Sequence, residues 1–198
     1  MKQLLVATRN RGKMKEIGAY LGGCVEELLC LADMLHLPDT VEDMNTFAGN
    51  ALKKAREASV ATGLPVIADD SGLIVDILGG EPGVRSARYA GEQGNDDANN
   101  RKLLQELAGV PAKKRTAAFV CVLAFVHPDG CEKLFEGRIE GRILETPRGA
   151  GGFGYDSLLL IEGHDATMAE LSVKEKNRIS HRGQALRSFR EFLQESGW

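Results

Sequence analysis

The chain has 198 residues, of which 43% are hydrophobic, and it carries a formal net charge of −3. A chain of this length buries a full core without metals or disulfides, and its balanced charge excludes a surface built to coat nucleic acid. No apolar stretch is long enough to cross a membrane, and the chain enters a strand at once, which a signal peptide does not do. Four cysteines without C-x-x-C spacing favour a reduced, cytoplasmic protein.

The first part of the chain alternates predicted strands and helices. The helices are predicted from apolar residues at helical spacing, such as Met14, Ile17 and Leu21, and from the glycines that follow them. The predicted elements are, in order, a strand at 3–7, a helix that ends at Gly22, a helix from Thr46 to Gly63, and strands at 64–69 and 73–78.

The second part of the chain contains a predicted hairpin. Its turn is the His-Pro-Asp-Gly sequence at 127–130, because Pro-Asp-Gly favours a tight turn. The predicted elements are a helix at 96–107, hairpin strands at 116–126 and 133–144, a strand at 158–161, and a C-terminal helix with Ile179, Leu186, Phe189 and Leu193 on one face. Without repeats or linkers, the pattern predicts one α/β domain over residues 1–198 with a mixed sheet and a long hairpin.

The turn between the first strand and the first helix carries polar and cationic side chains. Its sequence is Thr8-Arg9-Asn10-Arg11-Gly12-Lys13. Free backbone N–H groups and the positive end of the helix dipole lie at such a turn, so the segment suits a polyphosphate. It is not a Walker A loop, because the first Gly is missing and Met14 replaces Ser or Thr. A capped helix start with solvated cations stays open as the alternative.

Two acids stand side by side in the segment 68–72, Ala-Asp-Asp-Ser-Gly, which is predicted to end a buried strand. Because successive strand side chains point to opposite faces, Asp69 and Asp70 cannot both point into one pocket. We expect one to be a metal ligand or general base and the other to be held by backbone N–H groups or a cation. Glu42 and Asp43 are candidate co-ligands for Mg²⁺, which needs few carboxylates when phosphates and waters complete its shell. The alternative is a turn whose acids only cap the backbone.

A glycine-rich segment at 149–156 matches G-x-G-x-x-G letter for letter. A dinucleotide-binding loop follows a strand and opens a helix, whereas this segment leads into the predicted strand at 158–161. We therefore expect the glycines to bring the backbone close to a flat ligand, with Phe153 or Tyr155 as a stacking face and Asp156 as an acceptor. A surface loop whose aromatic residues turn into the core is the alternative.

The segment 174–183 is rich in cations. Most runs of charge are solvated, and two capping boxes, at 167–170 and 172–175, show that helices begin here. Donors beside Ser180, which can cap the last helix, are nevertheless placed to bind a phosphate or a base carbonyl. These candidate donors are Lys176, His181 and Arg182.

Taken together, these segments resemble the inosine/xanthosine triphosphate pyrophosphatases, which hydrolyse deaminated purine nucleoside triphosphates to the monophosphate and pyrophosphate. The resemblance covers nearly the whole chain and rests on six ordered motifs. They are T-x-N-x-x-K at 8–13, T-F-x-x-N-A at 46–51, A-D-D-S-G at 68–72, G-G-E-P-G at 79–83 with S-A-R-Y at 86–89, G-G-F-G-Y-D at 151–156, and S-H-R-G-Q-A-L at 180–186. It implies an elongated mixed-sheet α/β fold flanked by helices, a Mg²⁺ requirement and a homodimer.

The resemblance also implies roles for single residues. Asp70 matches the family's proton acceptor and one metal ligand, and Glu42 best matches the upstream acidic ligand. The implied substrate-binding residues are Thr8, Arg9, Asn10, Arg11, Gly12, Lys13, Ser71, Phe153, Gly154, Tyr155, Asp156, Lys176, His181 and Arg182.

The sequence departs from the family's pattern at three places. Arg9 stands where Gly is usual, Gly49 stands where Glu usually precedes Asn-Ala, and the acids before Thr46 leave the choice between Glu42 and Asp43 open. A pyrophosphatase for other modified nucleotides is the alternative function. A nucleic-acid-binding module is a further alternative, but the balanced charge and the paired aspartates argue against it.

Overall fold

The computed structural model describes residues 1–34 and 36–197. Strands and helices alternate along the chain, as the sequence predicts for the α/β class. The strands are β1 (Gln3–Val6), β2 (Glu27–Cys30), β3 (Val66–Val75), β4 (Thr116–Val126), β5 (Glu132–Ile143) and β6 (Leu159–Ile161). The helices are α1 (Arg11–Leu21), α2 (Phe47–Thr62), α3 (Asp96–Glu106), α4 (Val173–Ile179) and α5 (His181–Ser196).

The strands form one mixed sheet in the order β2-β1-β3-β4-β5-β6. Strand β1 runs parallel to β2 and to β3, whereas β5 and β6 are antiparallel. The predicted hairpin is confirmed, since β4 and β5 are neighbours and the amide of His127 donates to the carbonyl of Cys131 at 2.9 Å. The mixed sheet predicted from the sequence is therefore present.

The sequence predicts that the first helix ends at Gly22 and that the second runs from Thr46 to Gly63, and both predictions are confirmed within one residue. The side chain of Asn10 caps α1 by accepting from the amide of Lys13, and Thr46 caps α2 by accepting from the amide of Gly49. Helix α2 ends at Gly63, which has a φ of 69° in the left-handed region that glycine adopts without steric cost. Local sequence signals thus fix where these helices begin and end.

Strand β3 corrects one prediction. The sequence predicts separate strands at 64–69 and 73–78, but β3 is continuous from Val66 to Val75. The Asp-Asp-Ser-Gly signal favours a turn only when its side chains bond to their own backbone. Here Asp69 and Asp70 bind cations on helices instead, so the backbone stays extended.

One further prediction needs correction, and one strand was missed. The C-terminal helix does not include Ile179, because Ser180 adopts an extended conformation and separates α4 from α5. Strand β2 was not predicted, because it lies at the edge of the sheet and its residues are exposed or half-buried, without a strong apolar pattern.

The chain divides into two compact units. The first comprises residues 1–70, 121–137 and 182–198, and the second comprises 71–120 and 138–181. In the first unit, alternate residues of β1 enter different apolar clusters: Leu4 packs with Phe125 and Phe189, whereas Leu5 packs with Ala51 and Val122. The sheet of this unit is therefore covered on both faces. The core of the second unit includes Leu73, Leu103, Phe119, Tyr155 and Ile161.

The structure bears on two expectations drawn from composition. None of the helices in the described part of the chain is long and apolar enough to cross a membrane. All four cysteines, Cys24, Cys30, Cys121 and Cys131, are free thiols. Burial raises the pKa of the Cys121 thiol to about 12, so this side chain is an uncharged part of the core.

Candidate active site

In the first unit, the segment 8–13 joins β1 to α1 as predicted. Thr8 is buried, and its hydroxyl accepts a hydrogen bond from the amide of Asn10 at 3.2 Å. Arg11 and Gly12 form the first turn of α1, where Arg11 is exposed, and Lys13 is half-buried. The turn therefore presents a helix N-terminus together with cationic side chains, an arrangement that favours anions.

Asp69 is held by two cations. Its Oδ2 lies 3.1 Å from Nζ of Lys13, 3.2 Å from Nε of Arg182 and 3.1 Å from Nη2 of Arg182. Nη1 of Arg182 donates to the buried carboxylate of Glu16. Burial acts to raise the pKa of Asp69, but Lys13, Arg182 and Lys54 together outweigh it and hold that pKa well below its usual range. Asp69 is therefore a permanent anion that orients the cations around it.

Asp70 faces helix α2. Its Oδ2 accepts from the amide nitrogen of Asn50 at 3.1 Å, and its Oδ1 lies 3.3 Å from Nζ of Lys54. The two aspartates thus have different partners, as the alternation of strand side chains predicts. Burial raises the pKa of Asp70, although Lys54 and Lys13 act against that rise. Asp70 is the acid of the pair whose environment favours proton uptake.

Lys54 brings a second carboxylate next to Asp70. Its Nζ lies 2.8 Å from Oε1 of Glu42 and also donates to the carbonyl of Asp69 at 2.8 Å. Asp43, by contrast, pairs with Lys53 at 2.7 Å, and more than half of its side-chain surface is exposed. Of the two acids that the sequence leaves open, Glu42 is therefore the one that shares a cation with Asp70.

The carboxylates of Glu42 and Asp70 form a set of hard oxygen donors that converge on one positive charge. This set fits a divalent cation such as Mg²⁺, which takes one or two carboxylates and completes its shell with waters and phosphates. In residues 1–34 and 36–197, no group of three or more His, Cys, Asp or Glu side chains is placed to hold a metal. The donors present thus suit an ion that shares its coordination with a substrate.

Two departures from the family pattern have structural explanations. The guanidinium of Arg9 binds Asp39 and donates to the carbonyls of Leu31 and Leu37, at 3.1 and 2.6 Å. These contacts tie the turn after β1 to the segment that follows β2. At Gly49, a Cβ atom would lie 2.9 Å from Cβ of Met44, so Met44 fills the space that a side chain at position 49 needs.

In the second unit, the glycine-rich segment does not open a helix, as predicted, and it leads towards β6. The amide of Phe153 donates to Oδ2 of Asp156 at 2.9 Å, and Nζ of Lys176 lies 2.7 Å from the same oxygen. That ammonium group also lies 4.8 Å from the centre of the half-buried Phe153 ring. Gly152 is required here, because a Cβ atom would come within 2.1 Å of Asp156. The three side chains therefore form one cluster.

Tyr155 and His181 are both buried in this unit. The Tyr155 ring belongs to the apolar core, and its hydroxyl donates to the carbonyl of Ser86 at 2.9 Å. The His181 ring stacks on Phe119 with a centroid separation of 5.0 Å. Of the two predicted aromatic platforms, Phe153 is thus the one that retains an exposed part. Ser71 is half-buried in β3, next to Asp70.

The sequence pattern of the Ham1 family matches residues 4–192. The chain belongs to the Ham1 family. A Geobacter sulfurreducens protein named dITP/XTP pyrophosphatase is 53% identical over 198 residues, which cover 100% of this chain and 98% of that protein. A Bacillus licheniformis protein of the same name is 50% identical over 196 residues, or 99% of this chain and 100% of that protein. The solved Ham1 protein of Staphylococcus aureus has a TM-score of 0.88 at 38% identity, covering 98% of this chain and 100% of that one.

Three contributors to the site of this Ham1-family chain were not among the predicted site residues: Glu16, Asn50 and Lys54. Glu16 lies three residues after Lys13 on α1, and Lys54 lies four residues after Asn50 on α2. Such pairs share one face of a helix. The spacing was visible in the sequence, but which face turns towards β3 depends on how the helices pack.

Proposed function

We propose that the chain hydrolyses deaminated purine nucleoside triphosphates, namely dITP, ITP and XTP, to the monophosphate and pyrophosphate. Membership of the Ham1 family and the names of full-length relatives at about 50% identity support this activity. One observation about the site carries the proposal. Asp70 contacts Asn50 and Lys54, and Lys54 also contacts Glu42, while the neighbouring Asp69 is held as an anion by cations.

We assign a Mg²⁺ site to Glu42 and Asp70. When bound there, Mg²⁺ would neutralise phosphate charge and make the phosphorus more open to attack. Lys54 contacts both carboxylates and so brings them close together. The helix N-terminus at 8–13 and the cation Lys13 bind the phosphate chain and orient it.

Asp70 is the general base in this mechanism. Its carboxylate takes a proton from a water molecule whose oxygen forms a bond to the α-phosphorus. The bond between the α-phosphorus and the bridging oxygen breaks, and pyrophosphate leaves with that electron pair. Asn50 binds one oxygen of Asp70 and Lys54 lies 3.3 Å from the other, so these two side chains fix the orientation of the carboxylate that accepts the proton. The products are the nucleoside monophosphate and pyrophosphate.

We assign binding of the nucleotide base to residues of the second unit. Phe153 offers a stacking face, and Asp156, Lys176 and His181 offer polar groups. A 6-keto purine presents an acceptor at the 6-position, where adenine presents an amino donor. A protein donor that faces the 6-position therefore favours ITP over ATP. We further propose that the protein is a homodimer and acts in the cytoplasm.

The test of this function is a panel assay of pyrophosphate release with Mg²⁺. ITP, dITP and XTP are compared with the four common triphosphates and with modified pyrimidine triphosphates. We expect ITP, dITP and XTP to have the highest kcat/KM of this panel. A preference for modified pyrimidines would favour the alternative function, and release of orthophosphate from every nucleotide would indicate a phosphatase instead.

Two variants test whether different residues bind the triphosphate and the base of the nucleotide. His181→Ala should lower kcat/KM for ITP by about tenfold to hundredfold, because one hydrogen bond from a donor to the base is lost. The preference for ITP over ATP should fall by a similar factor. Lys13→Ala should instead weaken ITP and ATP hydrolysis alike. Equal losses for both nucleotides in both variants would contradict a base-reading role for His181.

A further inference from the structure

Helix α3 forms two hydrogen bonds to Gly154, in the loop that carries Phe153. Oδ2 of Asp96 accepts from the amide of Gly154 at 2.6 Å, and the side-chain nitrogen of Asn100 donates to the carbonyl of Gly154 at 3.0 Å. Asp96 and Asn100 are four residues apart, so they share one face of α3. The helix thus satisfies both backbone groups of Gly154.

These two hydrogen bonds select one conformation of Gly154. Its φ of 61° lies in the left-handed region, which glycine adopts without steric cost but is not confined to. The Asp96 bond is short and charge-assisted, and is of the stronger kind found in proteins. Oδ1 of Asn100 is buried and has no hydrogen-bond partner among the described residues. That arrangement costs stability.

Phe153 is consequently fixed from both sides. Its own amide donates to Asp156, which Lys176 holds, and the next amide along the chain donates to Asp96. Because both of these N–H groups are bound to carboxylates, the backbone on each side of the Phe153 Cα is held in place. Preorganisation of this kind increases affinity because less conformational freedom is lost on binding.

We infer that Asp96 and Asn100 are positioning residues for the aromatic platform, acting on purine affinity through Phe153 and not on the chemical step. This inference rests on the proposed function, in which Phe153 stacks on the purine. It extends the site to residues of α3 that the sequence analysis did not include.

The test compares Asp96→Ala with Asp97→Ala, a matched control that removes the same charge from the exposed neighbouring position. For Asp96→Ala, KM for ITP should rise about tenfold while kcat stays near the wild-type value. Asp97→Ala should leave both unchanged. Asp96→Asn keeps an acceptor for the Gly154 amide and should restore most of the affinity. Asn100→Ala should resemble Asp96→Ala.

A double-mutant cycle separates positioning from general damage. On a Phe153→Ala background, Asp96→Ala should raise KM no further, because its effect passes through the missing ring. Additive effects of the two substitutions, or a fall in kcat at unchanged KM, would overturn the inference alone. A wild-type chain that does not hydrolyse ITP would overturn the proposed function and the inference with it.

Discussion

Asp70→Asn is expected to fold normally and to lose nearly all turnover. The substitution removes the proposed general base and one anionic metal ligand while keeping the shape of the side chain and an acceptor for Asn50. A positioned base alone contributes about 10²–10⁴ in rate, so kcat should fall by at least that range. Steady-state pyrophosphate release at saturating Mg²⁺ measures the loss.

Asp43→Asn is the matched control. Asp43 has the same charge and also pairs with a lysine, but its partner is Lys53 and its side chain is largely exposed. Turnover of this variant should stay near that of the wild type. Activity of Asp70→Asn close to the wild-type value, with an unchanged unfolding transition, would show that another group accepts the proton.

Arg182→Ala is expected to destabilise the protein severely. The Arg182 side chain is among the most deeply buried in the described chain, and its removal leaves the carboxylates of Asp69 and Glu16 without this cation. Breaking a buried ion pair by removing one partner typically costs about 3–5 kcal/mol. Urea denaturation should show a correspondingly lower free energy of unfolding.

Two variants bracket this result. Arg190→Ala removes an exposed arginine from the same helix and should change the free energy of unfolding little. Arg182→Lys keeps one charge but loses the planar fork that reaches two carboxylates, so its stability should lie between those of Arg182→Ala and the wild type. An Arg182→Ala protein as stable as the Arg190→Ala control would mean that the buried ion pairs contribute nothing net.

Much of the fold follows from local sequence signals. The end of α1 at Gly22, the start of α2 near Thr46, its end at Gly63 and the Pro-Asp-Gly turn each depend on residues within a few positions, and all were predicted correctly. Capping of α1 by Asn10 was not predicted. Strand β3 was predicted wrongly as two strands, because the partners that keep Asp69 extended lie on α1 and α5. The residue types of the Asp-Asp-Ser-Gly segment fit both a turn and a strand, so the sequence of this segment alone could not distinguish them.

The same limit applies to the candidate site. Alternation along a strand predicts that Asp69 and Asp70 have different roles, but not which of them the cations neutralise. That assignment depends on Arg182, which reaches Asp69 across 113 positions and Glu16 across 166. Sequence spacing carries no information about such pairings. The hydrogen bond between Asp96 and Gly154 also joins residues that are distant in the sequence, since Asp96 lies 58 positions upstream.

Hydrolysis of ITP in ¹⁸O-labelled water identifies the phosphorus that water attacks, because the label is retained there. With Mg²⁺ present, we expect the products to be IMP and pyrophosphate and the label to be found in IMP. Label in pyrophosphate would place the attack at the β-phosphorus, and IDP with labelled orthophosphate would place it at the γ-phosphorus. Either result would contradict the mechanism assigned to Asp70.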